Sequence, residues 1–148
     1  MTFRKIFKFT INSTSEYIEL LDSFDVPYSN VTGYASLACD GTHLYTVAGT
    51  VVYKINMSGY LVSEITYQGS PLWGSLVWTG SFFWADSGLY LTKWHPNWTV
   101  AGKIYPVAWG TDALAWDGTH LWSIQKTCEL WNDDKIFQIE IIDDQVIP

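Results

Sequence analysis

A repeat of about 38 residues, a hairpin turn opening every copy and the absence of 3.6-residue periodicity together predict an all-β fold. The architecture they point to is a β-propeller built of four-stranded antiparallel blades, about three and a half blades per chain. The repeat shows in "LACDGTHLY" at 37–45, "LVWTGSFFW" at 76–84 and "LAWDGTHLW" at 114–122. Their leading residues, Leu37, Leu76 and Leu114, stand 39 and 38 residues apart, the spacing of propeller blades. In each copy Asp-Gly or Thr-Gly separates two apolar runs. Glycine accepts the positive φ of a tight turn and an aspartate side chain bonds the turn backbone, so each copy is a hairpin.

The elements follow in order. Residues 4–24, "RKIFKFTINSTSEYIELL" and its continuation, read as strand, polar turn, strand, and make a half blade. Within them "SEYIELLDSF" is the best helical candidate, but it falls where the repeat demands an outer strand. Residues 33–67 make a blade, from "ASLAC" and "HLYTV" through "VVYKINMSGYLVSEI". Residues 74–106 make a second, from "SLVW" and "FFWAD" through "LYLTKWHPNWTVAGKI". Residues 111–148 make a third that lacks most of its outer strand, with "ALAW", "HLWSI" and "KIFQIEI" followed by "DQVIP" as at best a stub. All belong to a single domain spanning 1–148. Four N-x-S/T sequons occur, at Asn12, Asn30, Asn56 and Asn97. Asn12, Asn56 and Asn97 fall in the second hairpin turn of their units, where asparagine is wanted for turn chemistry.

Composition bounds the function classes. The chain has 148 residues, 48% of them apolar, with a mean hydropathy near zero, so it buries a core of single-domain size. Aromatic residues make up 17%, with nine Trp and nine Tyr, while charged residues at 16% fall well below the roughly 25% usual for soluble proteins. A net charge of −7 with only eight Lys and Arg argues against nucleic acid, whose binding needs clustered cations. No run approaches the ~18 apolar residues of a membrane helix, and the N-terminal segment alternates instead of forming a signal-peptide core. Membrane insertion is therefore not expected, and the compartment expected is cytoplasmic or virion-associated. Cys39 and Cys128 lack any ligand spacing, which predicts two free, mostly buried thiols and no zinc.

The stretches "LACDGTHLYTVAGTVVYKINMSGYLVSEI" and "ALAWDGTHLWSI…KIFQIEI" resemble the blades of the NHL, YVTN and related propeller families. Units of those families run as an apolar strand, D-G, an aromatic-rich second strand, then K-I and a turn before the outer strand. The resemblance covers nearly the whole chain, and its motifs are structural. It implies a fold without a single activity, because such propellers include enzymes, lectins and protein-binding platforms.

Labelling strands a to d from the axis outward, the half blade supplies c and d and the last blade a, b and c. Open blade edges invite association. The expectation is a homo-oligomer, a dimer of about seven or eight blades favoured, in which the N-terminal hairpin of one chain completes the inner strands of another.

Aromatic positions divide into repeated and unrepeated ones. Trp78 and Trp116 share a site on strand a, where the first blade has Cys39. Tyr45, Trp84 and Trp122 share one on strand b, and repetition predicts packing between blades. His43 and His120 also repeat, just after the turn, and read as strand-edge residues. With His95 in another turn, no metal or catalytic set emerges. The connections from strand d to the next strand a carry "PLWGS" and "VAWGT", and the last b–c connection expands to "QKTCELWNDD". A binding face is thus expected to combine Trp73, Trp109 and Trp131 with Asp86, Asp133 and Asp134. Indole faces with nearby carboxylates suit a sugar, and they suit a protein partner equally well.

No G-x-S-x-G, no phosphate-binding glycine loop and no histidine beside a nucleophile occurs. The function expected is a non-catalytic interaction or assembly module that needs no cofactor, completes its ring by self-association and binds a protein or glycan partner. A carbohydrate-binding lectin is the first alternative. A propeller hydrolase or lyase with an acidic axial pocket, for instance one pairing Asp86 with Asp134, is the second.

Overall fold

The computed structural model describes residues 5–12, 14, 17–26, 36–69, 71–72, 74–87, 90–104, 111–126 and 134–140, and every regular element among them is a strand. Strands β1 (Lys5–Asn12) and β2 (Tyr17–Asp25) form an antiparallel hairpin. Strands β3 (Leu37–Cys39), β4 (His43–Ala48), β5 (Val51–Asn56) and β6 (Leu61–Thr66) follow as a four-stranded meander. A second meander is made of β7 (Leu76–Trp78), β8 (Phe83–Asp86), β9 (Leu91–Trp94) and β10 (Val100–Ile104). Last comes a three-stranded sheet, β11 (Thr111–Trp116), β12 (Leu121–Lys126) and β13 (Asp134–Ile139). The molecule is an all-β partial propeller of antiparallel blades, and its sheets do not close into a ring. The helical candidate lies in β2, where pairing along β1 overrides local preference. The stub "DQVIP" lies outside the described residues.

The repeated motif is a turn held by its own side chain. Asp40 Oδ1 accepts bonds from Thr42 N at 2.7 Å, Thr42 Oγ1 at 2.8 Å and His43 N at 2.7 Å, while Oδ2 accepts from the Tyr45 hydroxyl at 2.8 Å. Asp117 repeats the arrangement, accepting from Thr119 N, His120 N and Trp122 Nε1 at 2.7, 2.7 and 2.8 Å. In the middle copy the residue is Thr79, whose hydroxyl donates to Phe82 O at 3.1 Å. The backbone bond is common to all three, from Asp40 N to His43 O, Thr79 N to Phe82 O and Asp117 N to His120 O. Gly41, Gly80 and Gly118 each take a φ near +90° to +100°, which a side chain would strain. Three copies of one phrase therefore encode three copies of one turn.

Burial raises the carboxyl pKa of Asp40, but the bonds from Thr42, Tyr45 and His43 outweigh it and hold it well below the usual range. At Asp117 the bonds from His120, Trp122 and Thr119 do the same with little burial to oppose them. Both histidines sit at the strand edge, Nδ1 3.8 Å from Asp40 and 3.5 Å from Asp117 respectively.

The second hairpin turns also use side-chain acceptors. Asn56 Oδ1 accepts from Ser58 N and Tyr60 N, and Asn97 Oδ1 from Thr99 N and Oγ1. The asparagines at these two sequons thus close their turns. The turns match bond for bond, Asn56 N to Tyr60 O and His95 N to Thr99 O, which puts Trp98 where the first blade has Gly59. Trp98 accordingly adopts φ +64°, at a cost of about 1–2 kcal/mol for a residue with a Cβ. Its burial against Phe83, ring centroids 4.7 Å apart and stacked, offsets that cost.

Register alignment gives the blades a common frame. Leu37 pairs with Thr46, Leu76 with Ala85 and Leu114 with Ser123, so these pairs are equivalent. In that frame each sheet has a leading face toward the preceding blade and a trailing face toward the next. Tyr45 and Ala38 on the trailing face of the first meander pack on Leu76, Phe83 and Ala85, on the leading face of the second. Trp84 on the trailing face of the second meander packs with Leu121 and Leu114, on the leading face of the last sheet. Trp78 and Trp116 flank these two clusters, as repetition predicted. Cys39, which shares their position, is a free and exposed thiol, not the buried one expected, because among the described residues no sheet covers it. Cys128 lies outside the described residues.

Candidate functional site

The loop end of the blades is built from the outer connections inward. At the first blade, Tyr67 N donates to Thr50 O and the Tyr67 hydroxyl donates to Gly49 O at 2.9 Å. The same hydroxyl accepts from Leu72 N at 2.9 Å. One phenol therefore ties the connection after β6 down onto the β4–β5 turn and buries Leu72 beneath it. Burial pushes this hydroxyl up to about 12, the bond from Leu72 pulling the other way. The chain then reaches β7 through Gly74 and Ser75, where Asp86 N donates to Ser75 O at 3.2 Å.

Gly74 has no room for a side chain. A Cβ there would stand 2.7 Å from Asp86 Oδ2 and 3.1 Å from Asp86 Cβ, so the carboxylate lies against the backbone of the "PLWGS" connection. The d–a and b–c connections thus meet at one end of the molecule, as expected for a propeller. Asp86 is at the base of that end and only 3% exposed.

Of the other residues singled out in the sequence, Trp73, Trp109, Trp131 and Asp133 lie outside the described residues. Asp134 opens β13, opposite Lys126 at the end of β12, which places its backbone at the same loop end. Ser75 Oγ donates to Leu114 O at 3.3 Å and links this end of the second blade to the third.

A cavity of about 20 Å³ opens at the loop end between the two meanders, lined among others by Gln68, Ser87, Tyr90, Thr92, Trp94 and Lys103. Its volume suits one ordered water and is far below what a small-molecule site needs. Lys103 holds its ammonium 4.3 Å from the centre of the Tyr90 ring beside it. Among the described residues, no three His, Cys, Asp or Glu side chains converge as a metal ion would require.

Sequence reasoning missed a second aromatic assembly. Tyr45, Phe83, Trp98, Trp94 and Tyr67 run as a chain of ring contacts through the seam between the meanders, with centroid separations of 4.7–6.2 Å. No pattern in the sequence pointed to it, since Trp98 sits in a turn, where strand alternation says nothing of a side chain. Among the described residues the indole N–H groups of Trp84, Trp94 and Trp98 have no hydrogen-bond partner, so packing alone holds these rings.

No protein-family profile matches the chain, and no curated protein matches it. Solved structures do. Glutaminyl cyclase from Myxococcus xanthus aligns with TM-score 0.60 and 15% identity over 82% of this chain and 53% of its own. The computationally designed Ika4 protein aligns with TM-score 0.56 and 14% identity over 83% and 76%. Regucalcin from Agrobacterium tumefaciens, a calcium-binding protein, aligns with TM-score 0.51 and 12% identity over 80% and 44%. The cyclase and regucalcin are propeller-type folds, and this chain spans about half the length of each. At such identities the likeness establishes the fold alone.

Proposed function

We propose that the chain is a non-catalytic β-propeller interaction module that completes its ring by self-association and engages a protein partner through the aromatic loop end. The observation that carries it is the unequal burial of one repeated position. Tyr45 and Trp84 are 6% and 0% exposed beneath the next blade, while Trp122 has no blade over it among the described residues and is only partly buried. A stack with an uncovered aromatic at its end is half of an interface. The D-G and K-I phrasing of the blades supports kinship with NHL- and YVTN-type repeats, whose members include binding platforms.

The loop end supports partner binding by its build. Tyr67 bonds Leu72 N and Gly49 O, and Gly74 packs against Asp86, so the described residues on both sides of position 73 are tied to the blades. Trp73 and Trp109 are the anchors proposed, with Trp131, Asp133, Asp134 and Asp86 as the further candidate contacts, and Asp86 lies against Gly74 of the connection.

Light scattering across a concentration range tests self-association. The result expected is twice the chain mass of 16.9 kDa, and a mass of one chain at all concentrations refutes it. Trp73→Ala and Trp109→Ala should leave that mass unchanged. Specific capture on a glycan array, lost in these two variants, would instead establish the lectin alternative.

A further inference from the structure

Resting on the self-association just proposed, we infer that two copies join head to tail, the trailing face of β12 and β13 in one copy seating on the leading face of β3 and β4 in the other. The chain uses this junction twice internally. Trailing positions are filled by Ala38, Tyr45 and Val47 in the first meander and by Val77, Trp84 and Asp86 in the second, and every one lies against the next sheet or is buried. Their equivalents in the last sheet are Ala115, Trp122 and Ile124, of which Ala115 is exposed and Ile124 is 36% exposed. Ile136, paired across from Ile124 on the same face, is 70% exposed.

The leading positions are uncovered at the other end of the stack. Leu76 is buried in the second meander, yet its equivalent Leu37 in the first is 50% exposed, and Phe83 in the second meander and Leu121 in the third sheet are both buried. Leu44, equivalent to Phe83 and Leu121, is only half-buried, and the thiol of Cys39 is open where the other copies carry Trp78 and Trp116. Among the described residues one molecule therefore displays one unfilled trailing face and one unfilled leading face of a single repeat. Such faces complement each other across copies, and a heterologous junction that closes after two gives a ring.

The hairpin fits the same layer. The Phe24 ring of β2 occupies the space beside Gly59 where a Cβ would stand, so the hairpin already lies over the outer turn of the first meander. A second copy entering beside it covers the inner strands, and the hairpin becomes the outer part of a shared blade. Phe7, Phe9, Ile11, Ile18 and Leu20, all more than half exposed on the opposite face of the hairpin, then turn toward the incoming copy. Each copy contributes three layers in this arrangement, and two copies make a ring of six, fewer than the seven or eight suggested by counting the hairpin separately.

The test uses the whole chain and two exposed positions whose substitution leaves each fold intact. Leu37→Glu on the leading face and Ile124→Glu on the trailing face should each weaken the dimer at least about tenfold in sedimentation analysis. An equimolar mixture of the two variants should regain dimer, because one of its two junctions is then wild type on both sides. Misfolding could not produce that recovery. A wild-type dimer unaffected by either variant overturns the end-face assignment while leaving self-association standing. A wild-type monomer at all concentrations overturns both, and leaves the faces to a different polypeptide.

Discussion

Trp84 and Trp122 occupy one position in the repeat and live in different surroundings. Trp84 is fully buried between the second meander and the last sheet, with Leu91, Ile104 and Leu121 around it. Trp122 keeps its indole N–H on Asp117 at 2.8 Å and is only partly buried. The cross-strand register and the backbone bond of the preceding turn are the same, although Asp117 stands where the turn before Trp84 has Thr79. Burial at a given repeat position is therefore decided by the next blade and not by the blade that carries the residue, as in any quasi-one-dimensional stack.

The strongest way to break the comparison is truncation. Trp84→Ala should cost about 3–5 kcal/mol by chemical denaturation, whereas Trp122→Ala at concentrations below dimer formation should cost about 1 kcal/mol or less. Equal losses would show that Trp122 is already covered within one chain.

Tyr67→Phe comes next. It removes the hydroxyl that serves both Gly49 O and Leu72 N, and should destabilise by about 1–3 kcal/mol while lowering protection of the Leu72 amide in hydrogen exchange. An unchanged exchange rate would mean that the connection before β7 is held by something other than Tyr67.

A smaller effect separates the two aspartate turns by pH. Both carboxyls are held below their ordinary values, so they stabilise the fold fully at neutral pH and lose that contribution as pH falls from about 4 toward their folded values. Asp40→Asn should therefore lower stability at pH 7 by about 1–2 kcal/mol and flatten the acid limb of the pH profile. Asp117→Asn should act in the same direction and less strongly, since Asp117 is the more exposed. Parallel acid limbs in wild type and variants would contradict the assignment. Least of all, Lys5→Met removes the exposed bridge to Asp25 at 3.2 Å and should change stability by about 0.5 kcal/mol or less, confirming that the hairpin is not held by its charges.

Much of the fold was legible because its turns are chemically explicit. Asp40, Gly41 and Thr42 could only be a side-chain-closed turn, and their recurrence at Asp117 carried the period and with it the blade. Alternation located the strands, and the repeat located β2 against its helical appearance. Alternation is symmetric, however, and does not tell a leading face from a trailing one, so the exposure of Cys39 where Trp78 and Trp116 pack was not foreseeable. Trp98 in a left-handed turn and Phe24 over Gly59 were equally hidden, since both depend on contacts between units far apart in sequence. The loop end was legible as a set of connections, and in the structure Asp86 lies against Gly74 of one of them. Its burial was not legible, because that follows from the close approach of Gly74.

The most direct measurement joins the two end faces covalently. Cys39 is an exposed thiol on the leading face, and Ala115→Cys in a Cys128→Ser background places a second on the trailing face. Treatment with a short bifunctional maleimide should yield a covalent dimer linked between residues 39 and 115, absent from either single-thiol variant. An intrachain 39–115 link would mean that one chain closes on itself, and no link between these positions would mean that the two faces do not meet.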